Sequence, residues 1–131
     1  MPIPLADARK VIDAARAKAD QLGIKIAAIV VDERGDLVAA ARMDGARWIA
    51  PDVARGKAFA TATFGRASGE IAGMSDNPFF RSMLGLYPGR IVLAQGAVPL
   101  MHAGALAGAV GVSGGTGAQD EECASAGAAA L

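Results

Sequence analysis

Few side chains in this sequence could do chemistry, and most of them fall in three stretches. Lys57 stands in the run Val53 to Phe64, among Ala54, Ala58, Phe59, Ala60 and Ala62. Thr61 follows one helical turn later, on the same face. A desolvated lysine can act as a base or nucleophile with a lowered pKa, or it can clamp an anion. It can equally run its stem out of an Ala-rich helix, or pair with a carboxylate. Arg42, Asp44 and Arg47 bracket the end of an apolar segment. Arg42 could anchor a carboxylate and Asp44 could carry a proton, or the two could organise a turn by a local ion pair. The third stretch is Gly111-Val112-Ser113-Gly114-Gly115-Thr116-Gly117. Backbone N–H groups at such a loop attract carboxylates and phosphates where it opens a helix. It lacks the Gly-Lys-Ser/Thr ending of a nucleotide-phosphate loop. The same glycines would serve a tight strand-to-helix connection.

The remaining candidates are single residues. His102 is the only histidine. It could be a general base or a haem ligand, but it abuts Ala103-Gly104 and reads as an exposed turn residue. Cys123 is the only cysteine, so the chain has no internal disulfide and no CxxC pair. Its Ala-rich surroundings suit a small buried residue better than a partner for His102. Without a His/Glu cluster, no metal site is expected. Met43, Met74, Met83 and Met101, with Phe79, Phe80 and Tyr87, could line an apolar pocket or cover haem, or simply fill a core.

The elements that must position these residues follow from periodicity. Leu5, Ala8, Ile12, Ala15, Ala19 and Leu22 recur at steps of three and four, one apolar face of a helix. Pro4 suits its start and Gly23 its end. Ile26 to Val31 is a continuous apolar run, a strand covered on both faces. Asp32 to Asp36 is a turn, and Leu37 to Met43 is the antiparallel return strand. A helix is predicted from Asp52 to Phe64, closed by Gly65. Shorter helices are expected at 68–74 and 78–84. Strands follow at 90–93, 98–102 and 105–113, with Ala103-Gly104 as a hairpin turn. A last helix runs over 119–129. This order is α+β, with a five-stranded, mostly antiparallel sheet flanked by helices in a single domain, 1–131.

Composition narrows the function classes. Of the 131 residues, 53% are hydrophobic and only 5% aromatic, with 17 glycines. Such small side chains favour tight packing and a subunit interface. Thirteen basic residues balance thirteen acidic ones. A nucleic-acid partner is not expected without a basic excess or stripe, and zero net charge favours a homo-oligomer. The charged N-terminal stretch does not read as a signal peptide, and no run reaches the length of a membrane span. A cytoplasmic location is the expectation.

Three stretches together resemble the GlcG/HbpS-like family, which includes the C-terminal domain of PduO-type proteins. The first is Ile29-Val30-Val31-Asp32 through Gly35, with Arg42-Met43-Asp44-Gly45-Ala46. The second is Lys57-Ala58-Phe59-Ala60-Thr61-Ala62. The third is Gly108-Ala109-Val110-Gly111-Val112-Ser113-Gly114-Gly115, with Gln119-Asp120-Glu121. The ordered set covers nearly the whole chain. The resemblance implies a profilin-like sheet flanked by helices, homo-oligomers, and in some members bound haem. Near Gln95-Gly96-Ala97 the chain departs from the family's paired glycines, because Ala97 replaces the second.

The expected function is a homo-oligomer that binds a small organic ligand or haem and accompanies catabolic metabolism. Lys57, Thr61, Ser113, Gly114 and Gly115 would form its polar part. The alternative is an isomerase or lyase acting on a small organic acid or carbonyl compound, with Lys57, Arg42 and Asp44 as catalytic groups. Haem held without His102 is the expectation if haem is bound.

Overall fold

The computed structural model describes residues 2–131. Helix α1 (Leu5–Leu22) buries Ala8, Val11, Ile12, Ala15 and Ala19, which lie three and four apart. Leu5, expected on that face, is instead exposed. Gly23 stops the helix at φ 70, a left-handed conformation that glycine takes at no steric cost. Strands β1 (Ala27–Asp32) and β2 (Leu37–Arg42) form the expected hairpin. The Asp32 carboxylate shapes its turn by accepting the N–H groups of Arg34 and Asp36. Then come α2 (Ala50–Phe64), α3 (Ser68–Ala72) and α4 (Pro78–Leu86), followed by β3 (Ala97–His102), β4 (Ala105–Ser113) and α5 (Gly117–Ala128). Ala103 and Gly104, both at positive φ, close the β3–β4 hairpin.

The sheet has four antiparallel strands in the order β2-β1-β4-β3, not five. The expected strand at 90–93 does not form. Its apolar residues are buried by a helix rather than by a sheet. Val92 donates its N–H to the Gly56 carbonyl of α2. Gly56 leaves room for this approach, since a Cβ there would collide with the Val92 side chain. Ile91 joins Phe59, Ala60, Ile71 and Met83 in a small cluster on the outer side of α2. The α+β class stands, and the fifth strand is replaced by a strap across α2.

Alternate strand residues face opposite layers. Ala28, Val30, Val110 and Val112 pack under α1 and α5. Ile29, Val31 and Ala109 pack under Ala54, Ala58 and Ala62 of α2. With the sheet below it and residues 68–93 above, α2 is buried on both sides. Its fit on β4 depends on Gly111, where a Cβ would collide with the Ala54 carbonyl and press on Ala58.

Gly111→Ala should therefore lower stability by about 1–3 kcal/mol, the usual cost of overpacking. The shift in the urea midpoint measures it. An unchanged midpoint would show that α2 can rise off the sheet freely.

Candidate functional site

Lys57 comes from the middle of α2 and is only 4% exposed. Its ammonium donates to the Val112 carbonyl at 3.0 Å and to Asp120 Oδ2 at 3.0 Å. Asp120, in the first turn of α5, is 2% exposed. Its other oxygen accepts the Gly115 N–H at 2.8 Å. Burial pushes the Asp120 carboxyl up from its ordinary value, while the Gly115 N–H and Lys57 pull it back down. The pair joins helices on opposite faces of the sheet around the end of β4. Gly96 covers it at φ +142, and a Cβ there would lie 2.7 Å from both Lys57 Nζ and the Val112 oxygen. The conformation that favours glycine thus falls on Gly96, and the chain's departure at Ala97 costs nothing. Ala97 begins β3, and its N–H is taken by Ser68 Oγ at 2.9 Å.

The glycine-rich loop is consumed by its own fold. Gly115 N–H goes to Asp120, and Thr116 N–H goes to Gln119 Oε1. Gln119 N–H returns to Thr116 Oγ1, completing a capping box. Gly114 tucks against the Lys25 carbonyl, where any Cβ would collide. Thr61 is fully buried, and its hydroxyl has no hydrogen-bond partner.

The other sequence candidates lie apart from this centre. Arg42 and Asp44 line a surface cleft with Arg16, Asp20, Lys25 and Met43, which Lys57 does not reach. Arg42, Ala27 and Ser113 share one row across the sheet. Arg42 and Ser113 are therefore two strands apart, about 10 Å. His102 is exposed at the end of β3, beside a cleft of about 290 Å³ that also involves Ile3 and Leu131. Cys123 is fully buried, and burial with the Asp120 and Glu122 carboxylates pushes its thiol up to about 11. At neutral pH it is a protonated thiol and a poor nucleophile. Among the described residues, no group of three or more His, Cys, Asp or Glu side chains is placed to hold a metal ion. No described helix is long and apolar enough to cross a membrane.

Open space for a ligand lies on the outer side of α2. The Arg90 guanidinium sits 4.4 Å from the Phe59 ring centre and 5.8 Å from that of Tyr87. The two rings meet edge to face at 5.5 Å. On one side of Arg90 is a cleft of about 530 Å³ lined by Asp52, Arg55 and Gly56. On the other is one of about 410 Å³ lined by Glu33, Arg34, Asp36, Ala62 and Thr63. Only an exposed 4.0 Å ion pair with Asp36 ties the guanidinium down. Glu33 Oε2, on the same wall, is buried without a partner. Of these residues the sequence singled out Tyr87 alone. Arg90 was hidden by its placement at the head of a strand that does not form. Arg34 and Arg55 carried no spacing signal.

A family model described as "Haem degrading protein HbpS-like" matches residues 3–129. An uncharacterized 15.0 kDa protein of Citrobacter freundii, from the dhaT-dhaS intergenic region, is 35% identical over 121 residues, 90% of this chain and 84% of that protein. The crystal structure of a double mutant of Streptomyces reticuli HbpS is similar at 31% identity and TM-score 0.90, over 100% of this chain and 88% of that one. A crystal structure of a PduOC:heme complex is similar at 26% identity and TM-score 0.89, over 100% of this chain and 96% of that one.

The buried pair generates a stability test. Lys57→Met leaves the buried Asp120 without its counter-charge, with only the Gly115 N–H, and should cost about 3–5 kcal/mol. Adding Asp120→Asn keeps an acceptor for Gly115 N–H but removes the stranded charge, so the double variant should regain most of the loss. Chemical unfolding of the three proteins measures this. A Lys57→Met protein as stable as the parent would mean the ammonium is not held by the fold.

Proposed function

The chain belongs to the HbpS-like family, and from that premise we propose that it binds haem, or a similarly flat and acidic small molecule, as a homo-oligomer. The family supplies the ligand class. The observation that carries the place is the groove over α2, where Arg90 caps Phe59 and Tyr87 between two clefts.

The donor set of the groove fits haem. A tetrapyrrole needs an apolar surface for its face, cations for its carboxylates and a donor for its iron. Phe59, Ala62 and Tyr87 offer the apolar surface. Arg90 and Arg55 stand at one cleft and Arg90 and Arg34 at the other, so carboxylates can be met on either side. Guanidinium groups suit this because they pair with carboxylates in a fork. Tyr87 carries a phenol oxygen, a donor type known at haem iron. Arg90 is the residue that must move. Its stacking is worth about 0.5–2 kcal/mol and its exposed pair with Asp36 less than about 1, so a ligand carboxylate can draw it away from the rings. When bound, haem would supply a redox-active iron that the chain's own side chains do not provide.

The acid–carbonyl enzyme reading has less support. Lys57 is committed to Asp120 and Val112, and Arg42 and Asp44 sit on a separate cleft. The proposal places the protein in the cytoplasm beside catabolic enzymes, without requiring either.

Haem titration followed by the Soret band tests the reading. The parent protein should bind. Arg90→Ala should weaken binding by about tenfold to a hundredfold, the worth of one lost charge-assisted hydrogen bond. Tyr87→Phe should change the band's position, and His102→Ala should leave both affinity and band unchanged. A parent protein that gives no Soret shift sinks the proposal. Loss of binding in His102→Ala alone would move the site to the opposite side of the molecule.

A further inference from the structure

The sheet ends in two unlike edges. Strand β3 carries Pro99, which has no N–H to offer, and it is packed by both α2 and α5. Strand β2 is likewise packed by two helices, α1 and α2, and its pairing with β1 slips by one residue at Val38, but it lacks the proline. It reads Leu37-Val38-Ala39-Ala40-Ala41-Arg42, with no proline and no charge before its last residue. Ala40 and Arg42 are exposed. Met43 N–H donates to the Ile26 carbonyl of the neighbouring chain segment. Alternation along an antiparallel pair then turns the N–H and C=O of Arg42 and Ala40 outward, away from β1, as far as the register slip at Val38.

Beside this edge, α1 carries a regular charge pattern. Leu5, Arg9, Ile12 and Asp13 form a cleft with Val38 to Ala41. Arg16 and Asp20 form the adjoining cleft with Ala41 to Asp44. Along the edge the order is plus, minus, plus, minus. Arg9 and Asp20 are centred on the same point of the helix as Asp13 and Arg16, between Ala14 and Ala15. A second copy turned by a two-fold axis would set Arg9 against its Asp20, and Asp13 against its Arg16. The strand has its centre at the same level, because Ala41 lines both clefts, between Asp13 and Arg16.

We propose that β2 pairs antiparallel with β2 of a second copy of this chain, about a two-fold axis near Ala41. Ala40 and Arg42 of each copy exchange N–H···O bonds with Arg42 and Ala40 of the other. The helix spacing agrees. Helix α1 lies over β1 and β2. Joining two such edges sets the α1 helices about two strand spacings apart, roughly 10 Å, which is a normal interhelical distance. Ala17, exposed one turn after Asp13, leaves room for contact. The Arg16–Asp13 pair within one helix is long, at 3.8 Å, and both side chains are exposed, so it does not hold them from a partner.

This deepens the homo-oligomer part of the proposed function and is independent of the ligand. Sedimentation velocity and native mass spectrometry of the full chain test it. Arg9→Asp and Asp20→Arg should each weaken the β2 dimer by about tenfold, by setting like charges together. The combined Arg9→Asp, Asp20→Arg protein should regain parental assembly, because position 9 of each copy again faces an opposite charge at position 20 of the other. Ala40→Pro removes an outward N–H that the chain itself does not use, and should halve the stoichiometry while keeping the circular dichroism spectrum. If the parent assembles and the charge variants and Ala40→Pro all leave its stoichiometry unchanged, this edge is not the interface, though the oligomer stands. A monomeric parent overturns both, and haem binding by that monomer would leave the ligand reading intact.

Discussion

The buried pair of Lys57 and Asp120 is the contact around which this fold is arranged. Removing two full charges from water costs several kcal/mol per ion, and an attraction in the interior repays it only when the remaining donors and acceptors are also satisfied. The chain meets this condition closely. The ammonium has a second partner in the Val112 carbonyl, and the carboxylate has one in the Gly115 N–H. Each of these partners fixes a backbone segment. Gly96 must lie flat over the pair, the loop after β4 must turn inward, and α5 must start with its acid beside the end of the sheet. The pair ties helices of opposite layers at one end of β4. Its main effect is on register, since a helix shifted by one turn would strand a charge.

A helix committed in this way cannot also present its lysine to a ligand. The clefts around Arg90 lie on the other side of α2, where the helix meets the strap of residues 87–93. There the same principle runs in reverse. Arg90 is stacked on two rings and paired weakly with Asp36, with nothing buried about its charge. It is held well enough to shield Phe59 from water and loosely enough to be drawn off. The rigid charge organises the fold, and the loose one is held only by stacking and an exposed ion pair.

Most of the architecture was legible because it obeys local rules. The three-four spacing of α1, the apolar run of β1, the glycines at 23 and 65 and the Ala103-Gly104 turn each specify a conformation within a few residues. The segment 90–93 was misread for a definable reason. Ile91, Val92 and Leu93 are apolar and β-branched in part, and such a run says only that it is buried. Whether a sheet or a helix covers it depends on Gly56, more than thirty residues upstream. Lys57 was recognised as unusual, and a carboxylate partner was one of the readings open to it. Which carboxylate could not be read, because Asp120 is brought to it by the fold and by no local pattern. Asp120 itself opens the last helix, where an acid is ordinary because it complements the helix end. The groove was the least legible feature, since Arg34, Arg55 and Arg90 come from three separate segments.

The two sheet edges complete this division. An exposed edge strand invites pairing with other chains, and proteins ordinarily blunt it with proline, charge or a covering element. The β3 edge is blunted in two of these ways. The β2 edge has no proline and no charge before Arg42, and is interrupted only by the slip at Val38, beside a helix face whose charges complement their own image about a two-fold axis. An edge so built either aggregates or has a specific occupant, and charges that match only in one register favour the occupant. That edge is formed by β2 and α1. The groove lies over α2, on the other face of the sheet, and the buried pair closes the end of β4. The edge proposed for assembly, the groove proposed for a ligand and the buried pair therefore occupy separate surfaces, and a change at one can be made without breaking the other two.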